Sequence, residues 1–263
     1  MATPPRKVLV TGSAGRIGRA AVRTLVAAGH DVTGLDRTPT PGLPSTHGLV
    51  GDLADFGLLS AAVANCDVVV HLAACPDDHP EPSRDKPAGD NFLSQLVPAN
   101  VVGPYQVLEA CRRAGVPRVV LASTGQVIDG HLESGNVPVT ASSLYRPRYL
   151  YACTKMFLEG LGQVYSSVHG LTVLAVRFGW CPRDAGQAAE IAADAQCQDL
   201  FLSPGDAGRF VTATVEADKL PPYAVLYATS RFTHTLQYDL DAARRLIGYE
   251  PQDQWPAGAD DFA

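Results

Sequence analysis

The sequence predicts an α/β fold in which helices cover both faces of a doubly wound parallel sheet. Short apolar runs rich in β-branched residues recur at 7–10, 31–36, 67–71 and 118–123, as expected for strands that are buried on both faces. Segments with the periodicity of amphipathic helices separate these runs. With 263 residues, the chain is long enough for one large domain or a main domain with a small appendage.

The first predicted strand ends in a glycine-rich turn that leads into a helix. Gly12, Gly15 and Gly18 follow the spacing GxxGxxG. Glycines let the backbone come close to phosphates, and the N–H groups of the first helical turn attract negative charge with the helix dipole behind them. The turn therefore predicts a pyrophosphate site, and the alternative is a strand-to-helix turn that binds no ligand.

An acidic residue ends the second predicted strand, Asp31–Asp36. Asp36 lies 18 residues beyond Gly18, where a carboxylate can accept hydrogen bonds from both ribose hydroxyls of an adenosine and repel a 2′-phosphate. This arrangement favours NAD. The adjacent Arg37 could hold the phosphate of NADP, which leaves NADP as the less favoured cofactor. A simple turn residue at the strand end is the alternative for Asp36.

Composition and charge argue against several classes of partner. The formal net charge is −6, from 21 basic and 27 acidic side chains, without a basic block, which disfavours nucleic-acid binding. Asp67 and His71 interrupt the apolar run 68–70, so no membrane span is expected. The first residues lead directly into a strand, which leaves no room for a signal peptide. Six cysteines without a CxxC pair predict packed thiols in a cytoplasmic, metal-free protein.

The third and fourth predicted strands, 47–50 and 67–71, are followed by polar or small residues. Asp52 comes soon after the third strand and could simply begin the helix predicted near 56–64. His71 ends the fourth strand, and we interpret it as a structural hydrogen-bonding residue. Small residues that follow a strand let the backbone pack against a ligand, and here they are Leu72, Ala73 and Ala74.

A long polar stretch leaves the carboxyl end of the fourth strand. Residues 75–91 contain four prolines and mixed charge, and this edge of a doubly wound sheet faces the ligand. We therefore expect the stretch to form a lid over a substrate pocket. A long helix is predicted to follow over 92–114, where Pro98 and Pro104 indicate kinks.

A serine, a threonine, a tyrosine and a lysine form the predicted chemical centre. Ser123 and Thr124 end the fifth strand, and Tyr151 and Lys155 lie at i and i+4 on one face of the next helix. A lysine ammonium lowers the pKa of a nearby phenol, which can then take a proton from a substrate hydroxyl as hydride leaves its carbon. We assign proton transfer to Tyr151 and the lowering of its pKa to Lys155. Thr124 is assigned to hold the substrate oxygen, and Ser123 to support these residues. A surface YxxxK pair is the alternative.

The order of these motifs resembles the extended short-chain dehydrogenase/reductase family, the NAD-dependent epimerase/dehydratase group. Thr11 ahead of GxxGxxG, the HLAA segment that starts at His71 and the YxxxK pair carry the resemblance, which covers nearly the whole chain. It implies a Rossmann-type fold with a small C-terminal substrate lobe, an NAD cofactor and a homodimer formed through the two long helices. The short tail and its closing GYEPQD resemble uronate dehydrogenase-like members.

The resemblance also implies roles for individual residues. In the family, the Asp52-Leu53 pair lies beside the adenine, Asn100 helps hold the active-site side of the fold, and Phe178 belongs to the segment that passes the nicotinamide. With the motifs above, the predicted cofactor-binding residues are Gly12, Ala14, Gly15, Arg16, Ile17, Gly18, Asp36, Arg37, Asp52, Leu53, Leu72, Ala73, Ala74, Asn100, Tyr151, Lys155 and Phe178.

Trp180 and Arg183 follow the sixth predicted strand, 171–176, and are candidate substrate contacts. An indole stacks on a sugar face and a guanidinium can hold a carboxylate; a packed tryptophan and a solvated arginine are the alternative. Sugar-nucleotide dehydratases carry an Asp-Glu pair where this chain has Gly125 and Gln126, which disfavours a 4,6-dehydratase. The predicted substrate-binding set is Cys75, Thr124, Gln126, Trp180 and Arg183.

The likeness to uronate dehydrogenases is incomplete on the substrate side. Those enzymes have Asn-His after the strand-end serine, in place of Gly125-Gln126 here. They also carry an arginine for the sugar carboxylate where this chain reads AGQAA at 185–189, so only Arg183 could substitute. The resemblance therefore supplies the fold and the cofactor site without uronate specificity.

The C-terminal part predicts two further strands and two helices. A short strand is expected at 199–202, a helix from Ser203 through about Ala217, a strand at Tyr223–Ala228 and a helix at 240–247. We divide the chain into a dinucleotide-binding domain at 1–178 and a small, interleaved substrate lobe at 179–263.

These observations predict an NAD-dependent oxidoreductase that acts on a secondary alcohol or carbonyl of a small sugar or sugar acid. An epimerase with tightly bound NAD uses the same residues and is the first alternative. A dinucleotide-binding regulator without turnover is the second alternative, and the intact YxxxK pair argues against it.

Overall fold

Within residues 4–76 and 91–261, which the computed structural model describes, seven parallel strands form one sheet. The strands are β1 (Lys7–Thr11), β2 (Asp31–Asp36), β3 (Gly48–Val50), β4 (Val68–His71), β5 (Arg118–Thr124), β6 (Thr172–Phe178) and β7 (Tyr223–Ala228). Their order is β3-β2-β1-β4-β5-β6-β7, and every neighbouring pair is parallel. The predicted α/β fold with a doubly wound parallel sheet is confirmed.

Helices cover both faces of the sheet because alternate strand residues point to opposite sides. Val8 and Val10 pack in one core with α1 (Arg16–Ala27), α8 (Pro204–Glu216) and α9 (Asp241–Ile247). Leu9 packs in the other core, with α2 (Phe56–Ala62), α3 (Gly103–Ala114) and α5 (Leu150–His169). The remaining described helices are the short α4 (Asp129–Glu133), α6 (Ala185–Ala193) and α7 (Ala195–Asp199).

The order of the strands determines where along the sheet a ligand can bind. From β1 the chain moves outward to β2 and β3, then returns to β4 on the other side of β1. Loops that leave the carboxyl ends of β1 and β4 therefore diverge and open a crevice, which is where doubly wound sheets bind their ligands.

The sixth strand is longer than predicted. Its pairing with β5 and β7 continues to Phe178, so Arg177 and Phe178 lie within β6 and not after it. The sequence pattern ended the strand at Val176 because an arginine is rarely buried without a partner. In the structure Arg177 is 2% exposed, and its partners are described with the site below.

The strand predicted at 199–202 is wrong, because Asp199 is the last residue of α7. The Asp194 side chain caps this helix, and the Asp199 carboxylate accepts backbone N–H groups of residues 233–235. Side-chain caps of this kind fix a short helix that has little hydrophobic periodicity of its own. Phe201 alone pairs like a strand residue, in an isolated bridge with Trp180.

The long helix predicted over 92–114 begins with two wide π-helical segments, Phe92–Leu96 and Pro98–Val102, before α3. At the end of the second segment, the N–H of Gly103 donates to the carbonyl of Pro98. Wide turns of this kind occur at bends and at functional sites. Pro104 lies in the first turn of α3, where its missing N–H costs little.

The residue that caps α2 is Asp55. Asp52, the alternative that the sequence offered for the start of this helix, does not cap it. The Asp55 carboxylate accepts the N–H of Leu58 at 2.9 Å, whereas Asp52 accepts the N–H of Ala54 in a turn that precedes the helix. The helix ends at Ala62, two residues earlier than predicted.

The C-terminal part is built into the same body as the rest of the chain. β7 extends the sheet next to β6, and α8 crosses α1 so closely that the Thr24 hydroxyl donates to the carbonyl of Gly208 at 2.9 Å. The helix predicted from Ser203 is confirmed, with the Ser203 side chain as its cap. Buried Asp206 accepts the N–H groups of Gln252 and Asp253 and thereby fixes the C-terminal segment. The division at residue 178 stays a prediction.

Across the described ranges, no helix combines the length and the apolar character that a bilayer crossing requires. The lid predicted at 75–91 lies almost entirely outside the described residues, of which only Cys75, Pro76 and Asn91 belong to it.

Candidate active site

A cavity of about 650 Å³ opens at the carboxyl ends of β1, β4, β5 and β6. This volume lies within the range of ligand and cofactor pockets. The predicted site residues that line it are Gly12, Gly15, Arg16, Ile17, Gly18, Leu72, Ala74, Ser123, Thr124, Gln126, Tyr151, Lys155, Phe178, Trp180 and Arg183.

The glycine turn fits the close approach of a dinucleotide. Gly12 has φ +71°, and a Cβ there would lie 2.5 Å from the backbone nitrogen of Ala73. Only glycine fits such a position. Gly15 precedes α1 without a side-chain cap, so the first-turn N–H groups of α1 face this edge as donors for an anion. The turn can hold the pyrophosphate of NAD.

Asp36 lies beside this turn. Its carboxylate accepts the N–H of Ala14 and the N–H of Thr38, both at 3.1 Å. These two bonds fix the carboxylate at the end of β2, where an adenosine ribose would meet it. Arg37 is exposed next to it.

Seven predicted cofactor residues do not line the cavity. Asp52 is exposed after β3. The Leu53 side chain packs against Gly103, where an added Cβ would lie 3.2 Å from Leu53 Cδ1. Because β2 and β3 extend the sheet outward from β1, these positions suit the adenosine end of the cofactor. The residues outside the cavity lining are Ala14, Asp36, Arg37, Asp52, Leu53, Ala73 and Asn100.

His71 is a buried hydrogen-bonding residue. Its Nδ1 lies 2.7 Å from the hydroxyl oxygen of Thr11. Burial, together with the positive charge of Lys155, lowers the pKa of His71 to about 3. The imidazole is therefore neutral at physiological pH, as a structural role requires.

Asn100 connects the segment after β4 to helix α5. Its side chain accepts the N–H of Cys75 at 2.8 Å and donates to the carbonyl of Cys75 at 2.9 Å. The same amide lies 3.2 Å from the Thr154 hydroxyl on α5. Cys75, predicted as a substrate contact, does not line the cavity, although its neighbours Ala74 and Pro76 do.

Tyr151, Lys155 and Thr124 converge on one wall of the cavity. Lys155 is 2% exposed, its Nζ donates to the carbonyl of Ala122 at 2.9 Å and lies 5.5 Å from the ring centroid of Tyr151. Burial lowers the pKa of Lys155 to about 8, so the ammonium remains mainly protonated at pH 7. A positive charge is thus held beside the phenol.

Ser123 belongs to a buried ionic network that the sequence reasoning missed. Its hydroxyl donates to the Glu159 carboxylate at 2.5 Å. Glu159 also accepts two hydrogen bonds of 2.9 Å from the Arg177 guanidinium and one of 2.8 Å from the Tyr145 hydroxyl. Arg177 donates further to the Tyr227 hydroxyl at 2.7 Å.

Each charge in this network is balanced by a partner. Burial alone lowers the pKa of Arg177, but its hydrogen bonds to Glu159 and the charge of that carboxylate outweigh burial and raise the pKa. A bidentate pair with satisfied lone pairs is the form in which an ion pair tolerates burial. In the sequence, the only signs of this network are Glu159 and Arg177, each a charged residue on an otherwise apolar face, of α5 and of β6 respectively.

The far end of the cavity is formed by α4, α6 and α7, which the sequence did not predict. The Trp180 indole lies 3.5 Å from the Gln187 side-chain oxygen, and the backbone N–H of Arg183 donates to the same oxygen at 2.9 Å. Four further charged residues line this end: Asp129, Glu133, Arg148 and Glu190. Among the described residues, no group of three His, Cys, Asp or Glu side chains is placed to hold a metal ion.

The fold and the site together define a class of protein. A glycine turn at the crevice of a parallel sheet, an acid at the end of β2 and a tyrosine–lysine pair beside one cavity define a Rossmann-type, dinucleotide-dependent oxidoreductase. The chain belongs to the NAD dependent epimerase/dehydratase family, whose match spans residues 8–179. It is therefore an enzyme of the NAD-dependent oxidoreductase/epimerase type, with NAD as its cofactor, as the sequence predicted.

Sugar and sugar-acid dehydrogenases are among the relatives with assigned activities, beside 3β-hydroxysteroid dehydrogenases such as that of Mycobacterium tuberculosis. The L-arabinose 1-dehydrogenase (NAD(P)(+)) of Haloferax volcanii is 33% identical over 94% of this chain and 96% of its own length. The uronate dehydrogenase of Agrobacterium fabrum is 32% identical over 67% of this chain and 62% of its own length. A mutant uronate dehydrogenase from Agrobacterium tumefaciens, solved in complex with NAD, superposes with a TM-score of 0.72 at 25% identity, over 97% of this chain and 87% of that one.

The buried ion pair predicts a large loss of stability when one partner is removed. We expect Glu159→Ala to lower the free energy of unfolding by about 3–5 kcal/mol, because Arg177 would stay buried without its counter-charge. Urea unfolding followed by circular dichroism measures the change. The matched control is Glu250→Ala in the exposed pair of Arg244 and Glu250, which are 3.0 Å apart; it should cost no more than about 1 kcal/mol. Equal losses in the two variants would contradict the interpretation.

Proposed function

We propose that this protein is an NAD-dependent dehydrogenase that oxidises a ring hydroxyl of a free monosaccharide or sugar acid. The convergence of Tyr151, Lys155 and Thr124 beside the glycine turn is the observation that carries the proposal. The sugar and sugar-acid dehydrogenases among the relatives support a sugar substrate and favour a dehydrogenase over an epimerase. The intact tyrosine–lysine pair also disfavours a regulator without turnover.

The residues of this chain divide the chemistry between them. When bound, NAD supplies the acceptor for the hydride that leaves the substrate carbon. Thr124 and Tyr151 hold the substrate oxygen, and the Tyr151 phenolate takes the proton of the hydroxyl as the C=O bond forms. Lys155 stabilises the phenolate by its charge and is placed to hold the nicotinamide ribose. Ser123, which donates to Glu159, supports the end of β5 without a direct part in proton transfer.

The predicted cofactor residues are assigned in two groups. The glycine turn would bind the pyrophosphate with its N–H groups, and Asp36 would accept hydrogen bonds from the adenosine ribose. Asp52 and Leu53 would lie beside the adenine. Nearer the reaction, Leu72, Ala74 and Phe178 line the cavity where the nicotinamide would lie.

Removal of the Tyr151 hydroxyl tests the mechanism. We expect Tyr151→Phe to lower kcat by about 10³-fold, because no other cavity group is assigned to take the proton. NAD affinity, measured by calorimetry, should stay within about twofold, since the ring remains. Tyr149→Phe removes the hydroxyl of a tyrosine two residues away that also lines the cavity and should have a far smaller effect. Activity in Tyr151→Phe equal to wild type would overturn the mechanism.

Asp36 and Arg37 make opposite contributions to the choice of cofactor. We expect NAD to be preferred, and Asp36→Ala to shift the ratio of kcat/KM values toward NADP by about tenfold, equivalent to about 1.4 kcal/mol, because the charge that repels a 2′-phosphate is gone while Arg37 remains. Asp31→Ala, at the opposite end of β2, is the control and should leave the ratio unchanged. A wild-type preference for NADP would contradict the assignment.

We also propose a homodimer through α3 and α5. These helices present exposed apolar side chains on one side of the sheet: Tyr105, Phe157, Val164 and Val168, of which Val168 is 68% exposed. On α5, residues 157, 164 and 168 follow helical spacing, so they form one stripe.

Six free cysteines support the predicted cytoplasmic location.

Sedimentation velocity tests the dimer. We expect a dimer for the wild type and a monomer for Phe157→Asp, because a buried unpaired carboxylate would disrupt the contact. Val26→Asp is the matched control, since Val26 is 49% exposed on α1, at the other face of the sheet. A monomeric wild type, or a dimer that Val26→Asp disrupts instead, would contradict the proposal.

A further inference from the structure

One carboxyl group at the far end of the cavity has no hydrogen bond or ion pair with any residue that the structure describes. Asp129 begins α4 and lines the cavity. It follows the 3-10 turn Gly125–Ile128, which connects it to Thr124 at the end of β5. A 3-10 helix rises about 2 Å per residue, so this turn carries the chain roughly 8 Å from the reacting end before Asp129.

The neighbouring charges do not neutralise Asp129. The Arg148 guanidinium is paired with Glu133 at 3.6 Å, and Glu133 itself adds a like charge. Cys197 of α7 and Tyr238 are the other titratable groups that sense this carboxylate. Burial raises the pKa of Asp129 to about 6, with Arg148 lowering it and Glu133 raising it. Asp129 is therefore mainly ionised at pH 8 and mainly protonated at pH 5.

A desolvated carboxylate of this kind discriminates between possible substrates. It can accept hydrogen bonds from sugar hydroxyls, which donate without bringing a charge. A carboxylate on the substrate would instead place two like charges in one cavity, and one of them would have to take up a proton. The cavity end therefore favours hydroxyl groups over an acid group.

We propose that Asp129 makes this enzyme selective for neutral monosaccharides over uronates, by accepting hydrogen bonds from substrate hydroxyls remote from the reacting carbon. The inference rests on the proposed dehydrogenase function and narrows its substrate class. It assigns a specificity-determining role to a residue that takes no part in hydride or proton transfer. Under this proposal the substrate has no carboxylate for Arg183 to hold.

Substrates that differ at a single carbon test the proposal. L-Arabinose, D-galactose and D-galacturonate share the configuration of the pyranose ring and carry H, CH₂OH or a carboxylate at C5. D-Xylose, D-glucose and D-glucuronate form the same series in the gluco configuration. We would measure kcat/KM for all six sugars with NAD at pH 8 and pH 5.5. The ratio of kcat/KM values for neutral sugar and uronate cancels any effect of pH on the chemical step, which affects all substrates alike.

We expect the wild type to prefer the neutral sugars by at least about tenfold at pH 8, which corresponds to about 1.4 kcal/mol. The preference should decrease at pH 5.5, because Asp129 is protonated there while the uronate is still ionised. Asp129→Asn should lower the preference at pH 8 to a value that no longer depends on pH. Glu190→Gln removes the same charge from an exposed position on the cavity wall and should retain most of the preference, since water screens it.

The outcomes separate the two proposals. No turnover of any of the six sugars with either NAD or NADP would overturn the proposed function, and with it this inference. Turnover of a uronate at least equal to its neutral partner, or a preference that Asp129→Asn leaves unchanged, would overturn the inference alone. Thermal unfolding at pH 8 shows that the variant is folded: its Tm should be no lower than that of the wild type, because a desolvated charge is removed.

Discussion

The common direction of the strands is the constraint on which the site depends. In a parallel sheet every carboxyl end lies at the same edge, so groups far apart in sequence meet there. Asp36 ends β2, Thr124 ends β5, and Phe178 ends β6. The reversal of strand order between β1 and β4 then opens the crevice in which these groups can act together. Helix α5 adds the tyrosine and the lysine from one face of the sheet.

A buried ion pair and its hydrogen bonds connect the elements that carry the cavity residues. The Glu159–Arg177 pair joins α5 to β6, and the Ser123 hydroxyl joins both to the end of β5. Because α5 also carries Tyr151 and Lys155, this pair fixes that helix relative to the strand that carries Thr124. Buried ion pairs contribute little net stability when they replace apolar contacts. We therefore interpret the pair as one that fixes the relative positions of α5 and β6. The burial of apolar side chains on both faces of the sheet offsets the free energy that its desolvation costs.

The sequence predicted the sheet well, and the glycine turn that it singled out lines the cavity, for a physical reason. A buried parallel strand must be apolar, and a backbone turn around a phosphate must contain glycine, so both constraints appear in the residues themselves. The sequence failed where tertiary contacts override local pattern. Arg177 ended the predicted sixth strand too early because the partner that stabilises it, Glu159, lies elsewhere in the chain. Asp199 was assigned to a strand because its contacts with residues 233–235 cannot be seen locally.

The substrate end of the cavity shows this limit most clearly. Its walls are the short helices α4, α6 and α7, which lack the apolar periodicity that identifies longer helices. Side-chain caps fix the start of α6 and of α7, through Asp184 and Asp194. No backbone constraint requires a given residue type there, and under our proposal substrate choice depends on which charges remain unpaired. Within the described part of the chain, Arg148 is paired and Asp129 is not, although both are charged residues in polar segments. The distinction exists only in three dimensions, and our proposal for substrate selectivity rests on it.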